Sequence, residues 1–149
     1  MAERATERMV VTATPEQCFA VVSDFERYPD WAADIKQVTV DRRDDEGRPL
    51  DVTFRAAAFG RSTSYTLSYD YRDAPATLAW KQTAGDLTSK LDGSYTFEPT
   101  SSGGTQVTYV LDVELRVPLP GFIKRRAQFR IMHTALEELK ARVESAVTS

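Results

Sequence analysis

Residues 105–116, Thr105-Gln106-Val107-Thr108-Tyr109-Val110-Leu111-Asp112-Val113-Glu114-Leu115-Arg116, are followed by Val117-Pro118-Leu119-Pro120 and then by Gly121-Phe122-Ile123-Lys124. Val107, Tyr109, Leu111, Val113 and Leu115 fall on one face; Thr108, Asp112, Glu114 and Arg116 fall on the other, with Val110 the exception. Alternation of this kind predicts a half-buried strand. Pro118 and Pro120 lack the N–H a ladder needs, so they end the sheet. Beyond them the period changes. Phe122, Phe129, Met132, Leu136, Leu139 and Val143 recur at helical spacing and predict a helix from about Gly121 to Ala146. A helix of ~25 residues is ~37 Å long, enough to cross a curved sheet and cover its apolar face.

Upstream the same period-two pattern predicts strands near 35–43, 50–59, 62–72, 76–84 and 87–98. Tyr65, Leu67, Tyr69 and Tyr71 oppose Ser64, Thr66, Ser68 and Asp70; Leu91, Gly93, Tyr95 and Phe97 oppose Lys90, Asp92, Ser94 and Thr96. The breaks between strands are short and carry Asp, Gly, Pro and Ser, which implies antiparallel hairpins. At the N-terminal end, Glu7–Ala13 predicts a first strand. Thr14-Pro15-Glu16-Gln17 then supplies an N-cap, a proline suited to the first helical position and a capping box. A second short helix is expected from Tyr28-Pro29-Asp30-Trp31. The architecture is α+β: a seven-stranded antiparallel sheet wrapped around a long C-terminal helix, with two short helices after the first strand, in one domain over 1–149.

Composition narrows the function classes. The 149 residues are 42% hydrophobic and 28% charged, typical of a globular chain. Cys18 is the only cysteine and His133 the only histidine, so neither an internal disulfide nor a Cys/His metal site is expected. No run is apolar for long enough to span a membrane, and the charged start has no apolar signal-peptide core. With a lone thiol, this predicts a cytoplasmic protein. The net charge of −3 opposes nucleic-acid binding. It is unevenly spread: residues 117–149 hold 6 Lys/Arg against 3 Asp/Glu, whereas residues 1–116 hold 13 against 19.

Val22-Ser23-Asp24-Phe25-Glu26-Arg27-Tyr28-Pro29-Asp30-Trp31, followed by Ile35-Lys36-Gln37-Val38, resembles the opening signature of polyketide cyclase/dehydrase-type proteins. These stand with the coenzyme Q-binding START-like proteins in the SRPBCC superfamily, the START/birch-pollen-allergen-like helix-grip proteins. Leu91-Asp92-Gly93-Ser94-Tyr95-Thr96-Phe97-Glu98-Pro99 and Thr105-Gln106-Val107-Thr108-Tyr109 are similar to that family's closing hairpin. The resemblance covers about residues 5–146. It implies a helix-grip fold and an internal cavity for a small hydrophobic ligand such as a lipid, an isoprenoid quinone or a polyketide; separately, the alanine-rich, arginine-over-lysine composition points to a bacterial protein.

The face that would line such a cavity is drawn from Phe54, Tyr65, Leu67, Tyr69, Trp80, Gln82, Leu91, Tyr95, Tyr109, Leu111, Phe129, Met132 and Leu136. Periodicity alone fits a filled core as well as a cavity. The set contains no Asp, Glu, Lys, Arg or His, and general acid-base catalysis needs a titratable group within reach. Binding, transport or sequestration is therefore the reading, with no catalytic residue, metal or cofactor assigned. A polyketide aromatase/cyclase and a partner-binding module with a filled core are the competing classes. Oligomeric state stays open. Two further features stand out. Trp31 either packs on the sheet or gates a cavity mouth. Lys124, Arg125, Arg126 and Arg130 form a basic cluster behind Phe122 and Ile123, suited either to peripheral contact with an anionic membrane or to pairing with acidic loops of the same chain.

Overall fold

The computed structural model describes residues 3–58 and 60–148. Strand β1 (Glu3–Val11) leads into helix α1 (Pro15–Val22), a 3₁₀ turn (Phe25–Asp30), and strands β2 (Ile35–Arg43), β3 (Pro49–Ala58), β4 (Arg61–Asp70), β5 (Thr77–Gly85), β6 (Thr88–Pro99) and β7 (Thr105–Leu115). Helix α2 (Gly121–Thr148) ends the chain. The strands form one antiparallel seven-stranded sheet in the order β1-β7-β6-β5-β4-β3-β2. This is the helix-grip arrangement expected of START-like proteins.

Local chemistry explains the boundaries. The Thr14 hydroxyl accepts the Gln17 N–H at 3.2 Å, and the Gln17 side chain accepts the Thr14 N–H at 2.8 Å, so the capping box closes as expected around Pro15. β1 starts four residues earlier than hydropathy suggests and stops at Val11. Its limits come from pairing, from Glu3 opposite Val113 to Val11 opposite Thr105. The second short helix is a 3₁₀ turn that starts at Phe25, not Tyr28. Its bonds run from Arg27 N–H to the Asp24 carbonyl and from Trp31 N–H to the Tyr28 carbonyl, a spacing that leaves Pro29 without a donor to lose. The expected end of β3 at Phe59 lies outside the described residues. Register shifts between β2 and β3, between β4 and β5 at Thr66/Leu67, and between β6 and β7 at Thr88/Lys90 bend the strands and help the sheet curl.

β7 alternates as its sequence predicts: Thr105, Val107, Tyr109, Leu111 and Val113 are buried and their neighbours are not. Outside, Asp112 lies 3.7 Å from Arg4 and 3.8 Å from Lys90, so the charged register faces water. The core proper sits between α1, β1, β7 and the part of α2 from Met132 onward, where Met132, Leu136, Leu139 and Val143 are buried with Val11, Cys18, Val22 and Val107. Thr105 is the polar tie in this core: it is fully buried and its hydroxyl donates to the Ala13 carbonyl at 2.7 Å. Thr105→Val keeps the shape and leaves that carbonyl short of a partner. The expected cost is about 1–3 kcal/mol, read as a lower urea midpoint with an unchanged slope; an unchanged midpoint contradicts the assignment.

Candidate functional site

Helix α2 does not lie flat on the sheet over its whole length. From Gly121 to Ala127 none of its residues is buried, whereas Gln128, Met132, Leu136, Leu139 and Val143 are. The gap between the raised N-terminal half and the concave sheet is a cavity of about 840 Å³, well within the size range of small-molecule sites. Its floor is Phe54, Tyr65, Leu67, Tyr69, Trp80, Leu91, Tyr95, Tyr109 and Leu111, all named from the alternation of the strands. The same alternation put Gln82 at the site, and the helical spacing put Phe129, Met132 and Leu136 there; none of these four lines the cavity.

Each displacement has a local cause. Gln82 donates to the Thr88 carbonyl at 2.8 Å and accepts from the Thr88 hydroxyl, so its amide is spent on the β5–β6 hairpin. Met132 and Leu136 point into the filled core beside β1 and β7. Phe129 is 52% exposed and stacks on His133, with ring centroids 5.5 Å apart, on the outer side of α2. At ~100° per residue it lies at the edge of the buried row, ~20° from Leu136, and roughly opposite the cavity-lining row of Lys124, Ala127, Ile131 and Glu138. His133 itself pairs with Glu137 at 2.9 Å, in the open. Cys18 is buried, and that burial pushes its thiol up despite a hydrogen bond with Thr105, so it is not poised as a nucleophile.

The sequence reading missed the roof. Lys124, Ala127, Ile131, Thr134 and Glu138 line the cavity from α2. Their spacing is helical, but the row mixes charge, polarity and methyl groups, and hydropathy has no handle on a wall that faces a void. The wall therefore carries ionisable groups that the strand alternation alone does not supply. The Glu138 carboxylate accepts the Ala33 N–H at 2.9 Å and ties the segment after the 3₁₀ turn to α2. Tyr28 and Trp31 close the far end, their rings 4.9 Å apart. Trp31 thus packs on Tyr28 and also lines the cavity.

The lining is an aromatic belt. Trp31 meets Tyr28; Tyr28 meets Phe25 and Phe54; Phe25 meets Tyr69 at 4.3 Å; Tyr69 meets Trp80, which meets Tyr95 and Tyr109. Trp80 can lie in the floor because residue 93 is glycine: a Cβ there would stand 2.7 Å from Trp80 Cζ2 and 2.5 Å from the Val110 carbonyl. The Tyr28 hydroxyl donates to the Val22 carbonyl. The hydroxyls of Tyr65, Tyr69, Tyr95 and Tyr109 have no hydrogen-bond partner among the described residues. No fully buried side-chain oxygen or nitrogen among those residues is left unpaired, so these four hydroxyls open on the cavity.

Burial holds the phenols of Tyr28, Tyr65, Tyr69, Tyr95 and Tyr109 above the ordinary tyrosine range, and Glu138 adds to the effect at Tyr95. Tyr71 is pushed up to about 12 by burial first and Asp44 second. All 6 tyrosines are therefore neutral donors at physiological pH and poor bases. A raised pKa in the folded state contributes stability that is present below the unfolded phenol value of ~10 and is lost as pH rises past it. Alkaline titration should show tyrosinate absorbance appearing in one cooperative step together with loss of the strand circular dichroism signal. A tyrosine that ionises near pH ~10 while the fold persists contradicts this.

Among the described residues no group of acidic, histidine or cysteine side chains is placed to hold a metal, and no helix is long and apolar enough to cross a membrane. No curated protein matches the chain. Among solved structures it is similar to a START superfamily protein from Mycobacterium smegmatis, with 26% identity, a TM-score of 0.91 and coverage of 96% of this chain and 98% of that one. It is also similar in fold to the Zhui aromatase/cyclase from Streptomyces sp. R1128, at 14% identity, TM-score 0.86 and coverage of 99% and 96%. A Thermus thermophilus protein matches at 21% identity, TM-score 0.78 and coverage of 97% and 99%. The model of one family, described as polyketide cyclase / dehydrase and lipid transport, matches residues 2–144, and the chain belongs to that family.

Proposed function

We propose that this protein binds a small hydrophobic molecule bearing ring or chain oxygens, of the lipid, isoprenoid-quinone or polyketide class, in the cavity under α2. The observation that carries the reading is the set of four cavity-facing phenol hydroxyls, on Tyr65, Tyr69, Tyr95 and Tyr109, set within an aromatic belt. Flat aromatic walls suit a planar or extended apolar ligand. Neutral hydroxyls in a low-dielectric site favour a ligand that brings carbonyl or hydroxyl oxygens to pair with them, and they disfavour a bare hydrocarbon. The family's scope and its START relative support the same class of ligand.

A cyclase is the second reading, and Glu138 is the observation that favours it. A carboxylate on the cavity wall, with Lys124 on the same helix, could move protons on a bound poly-β-keto chain in an aldol closure and dehydration. The floor offers no such group, so catalysis would have to run along the roof.

Native mass spectrometry after incubation with extracted lipids should show a bound small molecule. Tyr95→Phe and Tyr109→Phe should each weaken an oxygenated ring ligand by roughly 2- to 12-fold and leave a matched hydrocarbon unchanged. Equal loss for both ligands would mean that the hydroxyls do not recognise oxygen. Trp80→Ala should weaken both ligands and also lower stability by about 3–5 kcal/mol, so folding is measured alongside; a folded variant that binds like the wild type removes Trp80 from the site. For the second reading, Glu138→Gln should abolish turnover of a poly-β-keto substrate while retaining its binding. Absence of turnover by the wild type leaves binding alone.

A further inference from the structure

We propose that the N-terminal half of α2, with the segment leading into it, docks on an anionic lipid surface and seats the cavity mouth against that surface. Three observations converge. First, among the described residues there are seven exposed large hydrophobics, and six of them, Val117, Leu119, Phe122, Ile123, Phe129 and Ile131, lie within this one stretch. Phe122 is 61% and Phe129 52% exposed. Scattered apolar surface is ordinary, but a concentration of this kind marks an interaction face.

Second, the stretch is cationic and has no acid of its own: no Asp or Glu lies between Glu114 and Glu137, while Lys124, Arg125, Arg126 and Arg130 do. Pairing with acidic loops of the same chain was the plain alternative. Lys124, Arg126 and Arg130 have no ion-pair partner among the described residues; the ion pairs are formed elsewhere. These charges also sit near a helix N-terminus, whose partial positive charge adds to theirs and raises the local field.

Third, the face is part of the cavity wall. Ile123, Lys124, Arg126, Arg130 and Ile131 line the cavity, and several of them are exposed, as are Asp34 and Gly60 across the gap. The opening therefore lies between this half of α2, the turn before Arg61 and the segment before Ile35.

The arrangement fits a lipid surface. Around the helix, Arg126 and Arg130 stand between Phe122 and Phe129 on one side and Ile123 and Ile131 on the other. At a bilayer, the long arginine stems reach phosphates while the apolar groups enter the acyl boundary.

The test is co-sedimentation with phosphatidylcholine vesicles made with and without phosphatidylglycerol, at low and high salt. The wild type should bind the anionic vesicles, lose binding as salt rises, and ignore pure phosphatidylcholine. R126E/R130E should lose on the order of 30-fold or more in partitioning. F122S/F129S should lose about tenfold or more, yet retain the wild-type circular dichroism spectrum and bind an anilinonaphthalene dye in the cavity as the wild type does, because neither phenylalanine lines it. No binding to anionic vesicles at low salt, equal binding by wild type and both variants, or capture by polyglutamate without capture by vesicles would overturn the proposal. Loss of dye binding in the wild type with vesicle binding intact would count against the cavity reading and leave the docking face standing.

Discussion

Gln128 is buried in α2, and its side-chain amide donates to the Leu111 carbonyl of β7 at 2.8 Å. A buried amide has to be paired, and leaving one unpaired costs about 1–3 kcal/mol. This hydrogen bond marks where the helix leaves the sheet. On its C-terminal side the helix turns Met132, Leu136, Leu139 and Val143 into the core against β1, β7 and α1. On its N-terminal side no residue of the helix is buried, and the cavity opens there and runs on under Ile131, Thr134 and Glu138, beside the packed row. The division of one helix into a packed half and a raised half sets up both the binding volume and the exposed face beside it.

The space under the raised half has walls that the sheet can build without its helix. Aromatic side chains on neighbouring strands brace each other: Tyr95 and Tyr109 sit 4.6 Å apart on β6 and β7, and Phe54 stacks on Tyr65 at 5.4 Å between β3 and β4. Such cross-strand pairs supply contact energy that a filled core would otherwise draw from the helix. Gly93 gives up its own side chain so that Trp80 can lie at the middle of this floor. The cavity is thus held open by lateral packing within the sheet. Its four cavity-facing hydroxyls make polar recognition compatible with an apolar wall.

The strands were legible because burial on one face imposes a period of two, and a slip of one residue would have put Lys90, Asp92 and Asp112 inside. The capping box at Thr14–Gln17 was legible for a similar reason, since it is closed by neighbours in sequence. Nine of the floor residues followed from the same alternation. The helix was read less well. A row of Phe122, Phe129, Met132 and Leu136 looks like one apolar face, but a helix that is packed along only part of its length need not keep its apolar residues on the packed side. Phe129 is exposed for that reason. The roof residues Ile131, Thr134 and Glu138 carry no hydropathy signal, because a wall facing a cavity is under no demand to be apolar throughout.

The charge distribution now has a structural meaning. Residues 1–116, which build the sheet, hold 19 acids against 13 bases; residues 117–149, which are mostly α2, hold 3 against 6. On the sheet, some acids are paired with neighbouring cations, as Asp51 is with Arg42, Asp70 with Arg72 and Asp112 with Arg4 and Lys90. Lys124, Arg126 and Arg130, which have no ion-pair partner among the described residues, sit beside the cavity opening. Such a separation gives the molecule a dipole, and a dipole turns a charged rim toward an anionic surface before contact is made. The surplus acid of the sheet would resist the opposite approach. Orientation and cavity access would then have the same origin, because the residues that attract the surface are the ones that border the opening.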